Sequence, residues 1–286
     1  MTASSESTFG GAELVEPNPR PSFLGGVLRL FRDVRTHRQL VTNFISRDIR
    51  IKYRNSTLGY VWSILEPLLM TSIYVVLFGI IAGKPQPLYP LWVVIGVITW
   101  GYFGKVLNGS LASLTSNEGI IKQVYFPRAL FALTTAGSGA VMAMLSLLVS
   151  VPFLVYHRIP PTWQLALVPT GLVLAALFAM GFGLALACLN VVFRDTEFIA
   201  RFVVRAGFYL SPVMWTFHMV PKSRASVAIL INPMSVPITL VRNGIDGSPL
   251  GIAPGWIAYS VAVCVGMFML GVSIFQRYEA GVVKSL

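Results

Sequence analysis

The sequence is short of charge, of acidic residues in particular, of histidine and of cysteine, and each shortage excludes something. Only 12% of its 286 residues are charged while 55% are hydrophobic, whereas a soluble domain carries about 25% charge. There are 11 Asp and Glu against 22 Lys and Arg. In the loops the acids are chiefly Asp195, Glu197 and Asp246. A membrane glycosyltransferase acting on lipid-linked sugars needs an acidic pair in a substantial aqueous loop, and these short loops offer little room for one. The three histidines, His37, His157 and His218, are far apart and lack ligand spacing, so metal-dependent chemistry has little support. The two cysteines, Cys188 and Cys264, both fall inside apolar runs; they read as buried thiols and provide no disulfide framework. There is no phosphate-binding loop: Gly79 to Lys84 has the wrong spacing and continues into Pro85. No Gly-x-Ser-x-Gly nucleophile elbow appears either.

Long apolar runs are what the chain has instead, and its mean hydropathy is +0.71. About 20 apolar residues span the hydrocarbon core of a bilayer. Six runs qualify as predicted spans: residues 61–82, 88–114, 129–156, 163–193, 198–217 and 256–275. The fold class is therefore an all-α integral membrane protein with six transmembrane helices. Residues 225–241 are also apolar, but Asn232-Pro233 and Pro237 split them. Broken backbone at membrane depth survives only against protein or water, so this stretch reads as re-entrant helices between the last two spans. Residues 1–21 are polar, with Glu6, Glu13 and Glu16 and no apolar core; they are expected to be a disordered tail and not a signal peptide. The expected organisation is a tail over 1–22, an amphipathic interface region over 23–60 and a transmembrane domain over 61–286.

The interface region repeats apolar residues at helical spacing, first Leu24, Val27, Leu28, Phe31 and Val34, then Leu40, Val41, Phe44, Ile45 and Ile49, with arginines between them. A basic amphipathic helix lies in the membrane interface with its cations toward anionic headgroups; a small soluble helical hairpin is the alternative. With six spans and both termini inside, sixteen Lys and Arg fall on inner segments and five on outer ones. That bias predicts cytoplasmic termini. It also explains a net charge of +11 by topology, with no call on nucleic acid. A seventh span would change the bias little, so the number six rests on Pro233 and Pro237.

Ionisable residues within spans are functional candidates by default, and Glu66 and Lys105 are the two clear ones. No chain of Asp, Glu or His accompanies them and no inverted repeat is visible, which weighs against a secondary transporter. Trp92, Trp100, Tyr102, Phe103, Phe208, Tyr209 and Trp215 lie deep or toward the outer side, and their faces could line a path for sugar rings; packing between helices is the plainer reading of each.

The run from Arg47 through Tyr53-Arg54, Gly59-Tyr60, Trp62 and Glu66-Pro67 resembles the entry to the first span of ABC-2 type permeases. So do Lys122 to Phe126-Pro127-Arg128, Phe193-Arg194-Asp195, Tyr209-Leu210-Ser211-Pro212-Val213 and Asn232-Pro233, in order and at family spacing from Phe23 onward. The resemblance is strongest to the polysaccharide exporters for O-antigen, teichoic acid and galactan. It implies a homodimer working with two copies of a separate ATPase that binds ATP and magnesium, so that this chain holds no cofactor and is not itself an enzyme. It implies a bacterial cytoplasmic-membrane location and a glycan on a polyprenyl-pyrophosphate carrier as substrate, with cell-wall galactan the narrower expectation. Asn117, Glu118, Lys122, Phe126, Pro127 and Arg128 would belong to the helix that docks on the ATPase. Arg194, Asp195 and Glu197 would make a second contact, and residues 215–246 would form outer gate helices. Arg50, Lys52 and Arg54, just before the first span, are candidates for the pyrophosphate because guanidinium and ammonium groups pair with phosphate.

Overall fold

A computed structural model describes residues 23–52, 54, 56–82, 87–123, 127–216 and 230–282. The expected tail, Phe126 and residues 217–229 of the expected gate region lie outside the described residues. The described residues contain helices and turns and no strand.

The interface region forms two helices, α1 (Phe23–Thr36) and α2 (Arg38–Lys52). They meet at His37, whose N–H donates to the Asp33 carbonyl at 2.8 Å. The apolar stripe of α1 is divided between two surroundings. Val27 and Leu30 are buried, while Leu28 and Phe31 are exposed. The buried side rests on the end of the last helix, where Gln276 Nε2 donates to the Gly26 carbonyl at 3.0 Å.

Five helical stretches are long and apolar enough to cross a membrane: Gly59–Leu77, Tyr89–Leu111, Ala129–Tyr156, Trp163–Val192 and Pro254–Glu279. The corresponding helices are α3 (Trp62–Ala82), α4 (Tyr89–Leu111), α6 (Ala129–Leu147) continued by α7 (Ser150–Tyr156), α8 (Leu167–Val192) and, last in the chain, α11 (Pro254–Val282). Most prolines here sit where helices tolerate them. Pro90 and Pro254 lie in first turns, where the missing N–H has no partner to lose. Pro152 does interrupt the third span. It cannot donate to Leu148, so Val151 N–H takes that carbonyl at 3.0 Å and the chain tightens locally between α6 and α7.

The bundle is built around α8, which packs against α4 on one side and α11 on another. A Cβ on Gly271 would land on the Gly181 carbonyl, and one on Gly181 would land on the Met267 carbonyl. Glycine at both positions is what lets α8 and α11 pack backbone to backbone, as small residues do between membrane helices. By contrast α3 is the least covered span, with 11% of its apolar window buried against 72% for α4.

The fifth predicted span differs from expectation. Its helix, α9 (Asp195–Leu210), has 16 residues, about 24 Å at 1.5 Å per residue. It stops at Leu210 because Ser211 precedes Pro212 and is extended, with φ −95° and ψ 155°. Between α9 and α11 lies α10 (Ser235–Asp246), 12 residues long and buried almost throughout. Pro237 falls in its first turn and so permits the helix instead of breaking it. Gly247, with φ +71°, closes it in a left-handed cap whose N–H donates to Asn243 at 3.0 Å.

Candidate functional site

The end of the bundle that carries α1, α2 and the short helix α5 (Glu118–Gln123) is called basal below, and the opposite end apical. At the basal end Asn117 Nδ2 donates to the Ser113 carbonyl at 2.9 Å, fastening the end of a tight turn over Thr115–Asn117. The Lys122 ammonium sits 2.5 Å from the Glu118 carboxylate across one turn of α5. That hydrogen bond and the charge behind it hold the Glu118 carboxyl below its usual range, and the charge of Arg194 acts in the same direction. Glu118 and Arg194, one from each of the two segments that the sequence assigned to ATPase contact, are therefore within electrostatic reach of each other. Arg194 and Asp195 are exposed. Asp195 and Glu197 open α9, where acidic side chains suit the helix dipole. Pro127 and Arg128 are half-buried, and Arg128 is with Arg29 a cationic neighbour of the Glu279 carboxylate.

The three candidate phosphate ligands do not stay together. Arg50 and Arg54 line a basal recess of about 500 Å³ with Asn43, Ser46 and Arg47. Lys52 instead lines a cavity of about 440 Å³ beneath α3, together with Glu66, Lys105 and Ser146. Lys105 Nζ lies 3.5 Å from Ser138 Oγ. The two intramembrane ionisable residues singled out from sequence thus share one cavity with one of the three cations.

The candidate aromatics separate as well. Trp100, Phe103, Phe208 and Tyr209 form one cluster, with ring centroids 4.9 Å apart for Trp100 and Phe103 and 5.3 Å for Phe208 and Tyr209. Tyr74 joins it from α3, 5.5 Å from Phe208. Within the single chain Trp100 and Phe103 are buried, and Tyr209 is 59% exposed. Tyr102 packs elsewhere, its hydroxyl donating to Ala136 on α6 at 3.2 Å. Trp92 and Trp215 belong to an apical joint. Trp92 Nε1 donates to Asp246 at 2.9 Å. Arg242, 4% exposed, donates from Nε to the Trp92 carbonyl at 2.9 Å, from Nη1 to Trp215 at 3.1 Å and from Nη2 to Val213. Gly96 leaves room for it, since a Cβ there would lie 2.6 Å from Nη2. Sequence reasoning counted Arg242 only as an outer charge. Its lone position after an apolar run was the available signal of burial.

A second joint ties two motif blocks together. Asn232 Nδ2 donates to Ser211 Oγ at 2.8 Å, while Asn232 Oδ1 accepts from the Met234 N–H at 3.0 Å. The Pro233 carbonyl accepts from Ser260 of α11 at 3.1 Å. The end of α9, the start of α10 and α11 are thereby connected through Ser211 and Asn232.

Among known proteins the chain is 27% identical over 244 residues to an O-antigen export system permease protein RfbA of Klebsiella pneumoniae, covering 84% of this chain and 92% of that one. It is 25% identical over 209 residues to the protein of the same name from Myxococcus xanthus, covering 73% and 80%. It is also 25% identical over 252 residues to the polysialic acid transport protein KpsM of Escherichia coli, covering 84% and 93%. A family model for the ABC-2 type transporter matches residues 39–245. With five helical stretches among the described residues long and apolar enough to cross a membrane, and that match over most of its length, the chain is a member of the ABC-2 type transporter family.

Proposed function

We propose that this chain is the membrane permease of an ATP-driven polysaccharide exporter, working as a homodimer with two copies of a separate ATPase. The observation that carries the reading is the near end-to-end similarity to permeases named for O-antigen and polysialic acid export. The basal surface supports it: Glu118 and Arg194, one from each expected docking segment, lie within electrostatic reach of each other. In this reading α9 is the fifth of six spans, α10 is a re-entrant gate helix, and both termini are cytoplasmic. ATP and magnesium act on the partner. The substrate is a glycan on a polyprenyl-pyrophosphate carrier, with cell-wall galactan the narrower assignment, and its diphosphate first meets Arg50 and Arg54 at the membrane edge, with Lys52 facing a separate cavity.

The test is reconstitution of the chain with a candidate ABC ATPase from the same genome. The expected result is ATP-dependent export of lipid-linked glycan, loss of ATPase binding in Phe126→Ala with Arg128→Ala, and reduced export when Arg50, Lys52 and Arg54 become Gln with ATPase docking intact. Export unchanged by the triple substitution would remove the diphosphate role. A chain that binds no ATPase and moves no glycan would remove the whole reading.

A further inference from the structure

Helix α9 carries two arginines, Arg201 and Arg205, in an otherwise apolar stretch. Their level in the membrane follows from the packing of α9 on α4. Trp100 is the midpoint of the 23-residue span Tyr89–Leu111, and its Nε1 donates to the Val204 carbonyl at 3.2 Å. A Cβ on Gly104, one turn toward the basal end, would meet the Val204 side chain at 2.9 Å. Val204 therefore lies at or just below the middle of a membrane-crossing helix, and Arg205 is its neighbour. The length of α9 gives the same answer independently. Arg205 stands ten residues from its start, about 15 Å at 1.5 Å per residue, or half of a ~30 Å hydrocarbon core.

The direction of Arg205 is fixed by its helix. Thr196 and Ala200 are buried against the bundle, and Val204 continues that face. Arg201, Arg205 and Phe208 follow one another at four- and three-residue spacing, so they share a neighbouring stripe. Phe208 at the top of that stripe meets Tyr74 of α3. The two arginines thus lie directly basal to the α3–α9 contact, and both are exposed. Arg201 is paired with Glu197 one turn below. Among the described residues no carboxylate pairs with Arg205.

An exposed guanidinium halfway across a bilayer is among the costliest placements against hydrocarbon, and such residues face water or an ion path. We infer that Arg205 lines a water-filled path between α3 and α9 and holds the anionic group of the substrate midway through the membrane. Its planar fork suits a phosphate bidentately. Lys52 and Lys105, in the cavity under the basal half of α3, are the cations met before it. This inference rests on the exporter reading, and names a substrate contact deeper than the cations at the membrane edge.

The experiment uses the full chain with its ATPase in lipid nanodiscs. Cys188 and Cys264 are buried and are replaced by Ala to clear the background. Arg205→Cys should react with a negatively charged, water-soluble methanethiosulfonate, while Val141→Cys, on the exposed side of α6, should not. In the otherwise native chain, Arg205→Gln should bind undecaprenyl diphosphate about tenfold more weakly, the loss expected for a charge-assisted hydrogen bond. Arg205→Lys should recover part of it, and undecaprenol, lacking the phosphates, should bind equally to all three. A weakened affinity for a sialic acid oligomer in place of undecaprenyl diphosphate would still support the anion contact and assign it to acidic sugars. An unreactive thiol at position 205, or unchanged affinity for both anions, would overturn it. A wild-type complex that exports no glycan fails the exporter reading. One that exports while Arg205 shows neither property fails this inference alone.

Discussion

Replacing Arg242 by Ala removes the guanidinium that joins three backbone segments. Of its three acceptors, the Trp92 carbonyl lies inside α4 and keeps its helical donor, whereas Val213 and Trp215 lie in the turn after α9. The buried Val213 carbonyl is thus stranded, for a loss of about 2 kcal/mol within the roughly 1–3 kcal/mol such a group costs. At roughly 2–4 °C per kcal/mol that is a fall in melting temperature of about 6 °C, readable by tryptophan fluorescence of the purified protein on heating. Arg242→Lys should recover part of the loss, since an ammonium reaches fewer of the three carbonyls. Arg242→Met is the sharper arm. A buried charge can cost more to desolvate than its bonds return; if so here, the methionine variant would melt above wild type. An alanine variant within about 2 °C of wild type, or a methionine variant above it, would refute the reasoning.

Two further outcomes follow from the same geometry. Gly271→Ala places a Cβ on the Gly181 backbone and should yield little folded protein, whereas Gly266→Ala meets open space and should leave the elution profile and melting temperature essentially unchanged. At the basal surface, Lys122→Met should let the Glu118 carboxyl return upward toward 4.5, which a carbon-13 titration of labelled glutamate would read. Because the folded value is depressed, the stabilisation from this pair is present above the ordinary carboxylate range and fades as pH falls through the lowered value; at neutral pH the melting temperature should barely move, the pair being exposed.

Length and apolarity made five spans legible, because a run of twenty apolar residues has few other uses. The fifth predicted span was legible as a helix but not in its extent. Its end depends on Ser211 being extended before Pro212, and its start on Asp195 and Glu197 favouring a first turn. The division of Arg50 from Lys52 was implicit in the spacing, since residues two apart on a helix do not share a face. Their grouping as neighbours in sequence hid it. Burial of Arg242 was signalled only by its lone place after an apolar run, because it depends on three acceptors from α4 and the α9–α10 connection meeting around one side chain.

Helix α9 gathers these threads. Its first turn is charged and adjoins the segment around Glu118 and Lys122. Its middle hangs from Trp100 at the centre of α4. Beyond its last residue, Ser211 is bonded to Asn232 at the start of α10, and Val213 and Trp215 to Arg242 within it. Like α4, α9 touches the basal surface, the aromatic cluster and the apical joint, and it is short, amphipathic and exposed along one side. A displacement imposed at Arg194–Glu197 would travel along α9, past Arg205, and reach α10 through the hydrogen bonds of Ser211, Val213 and Trp215 in the turn that follows.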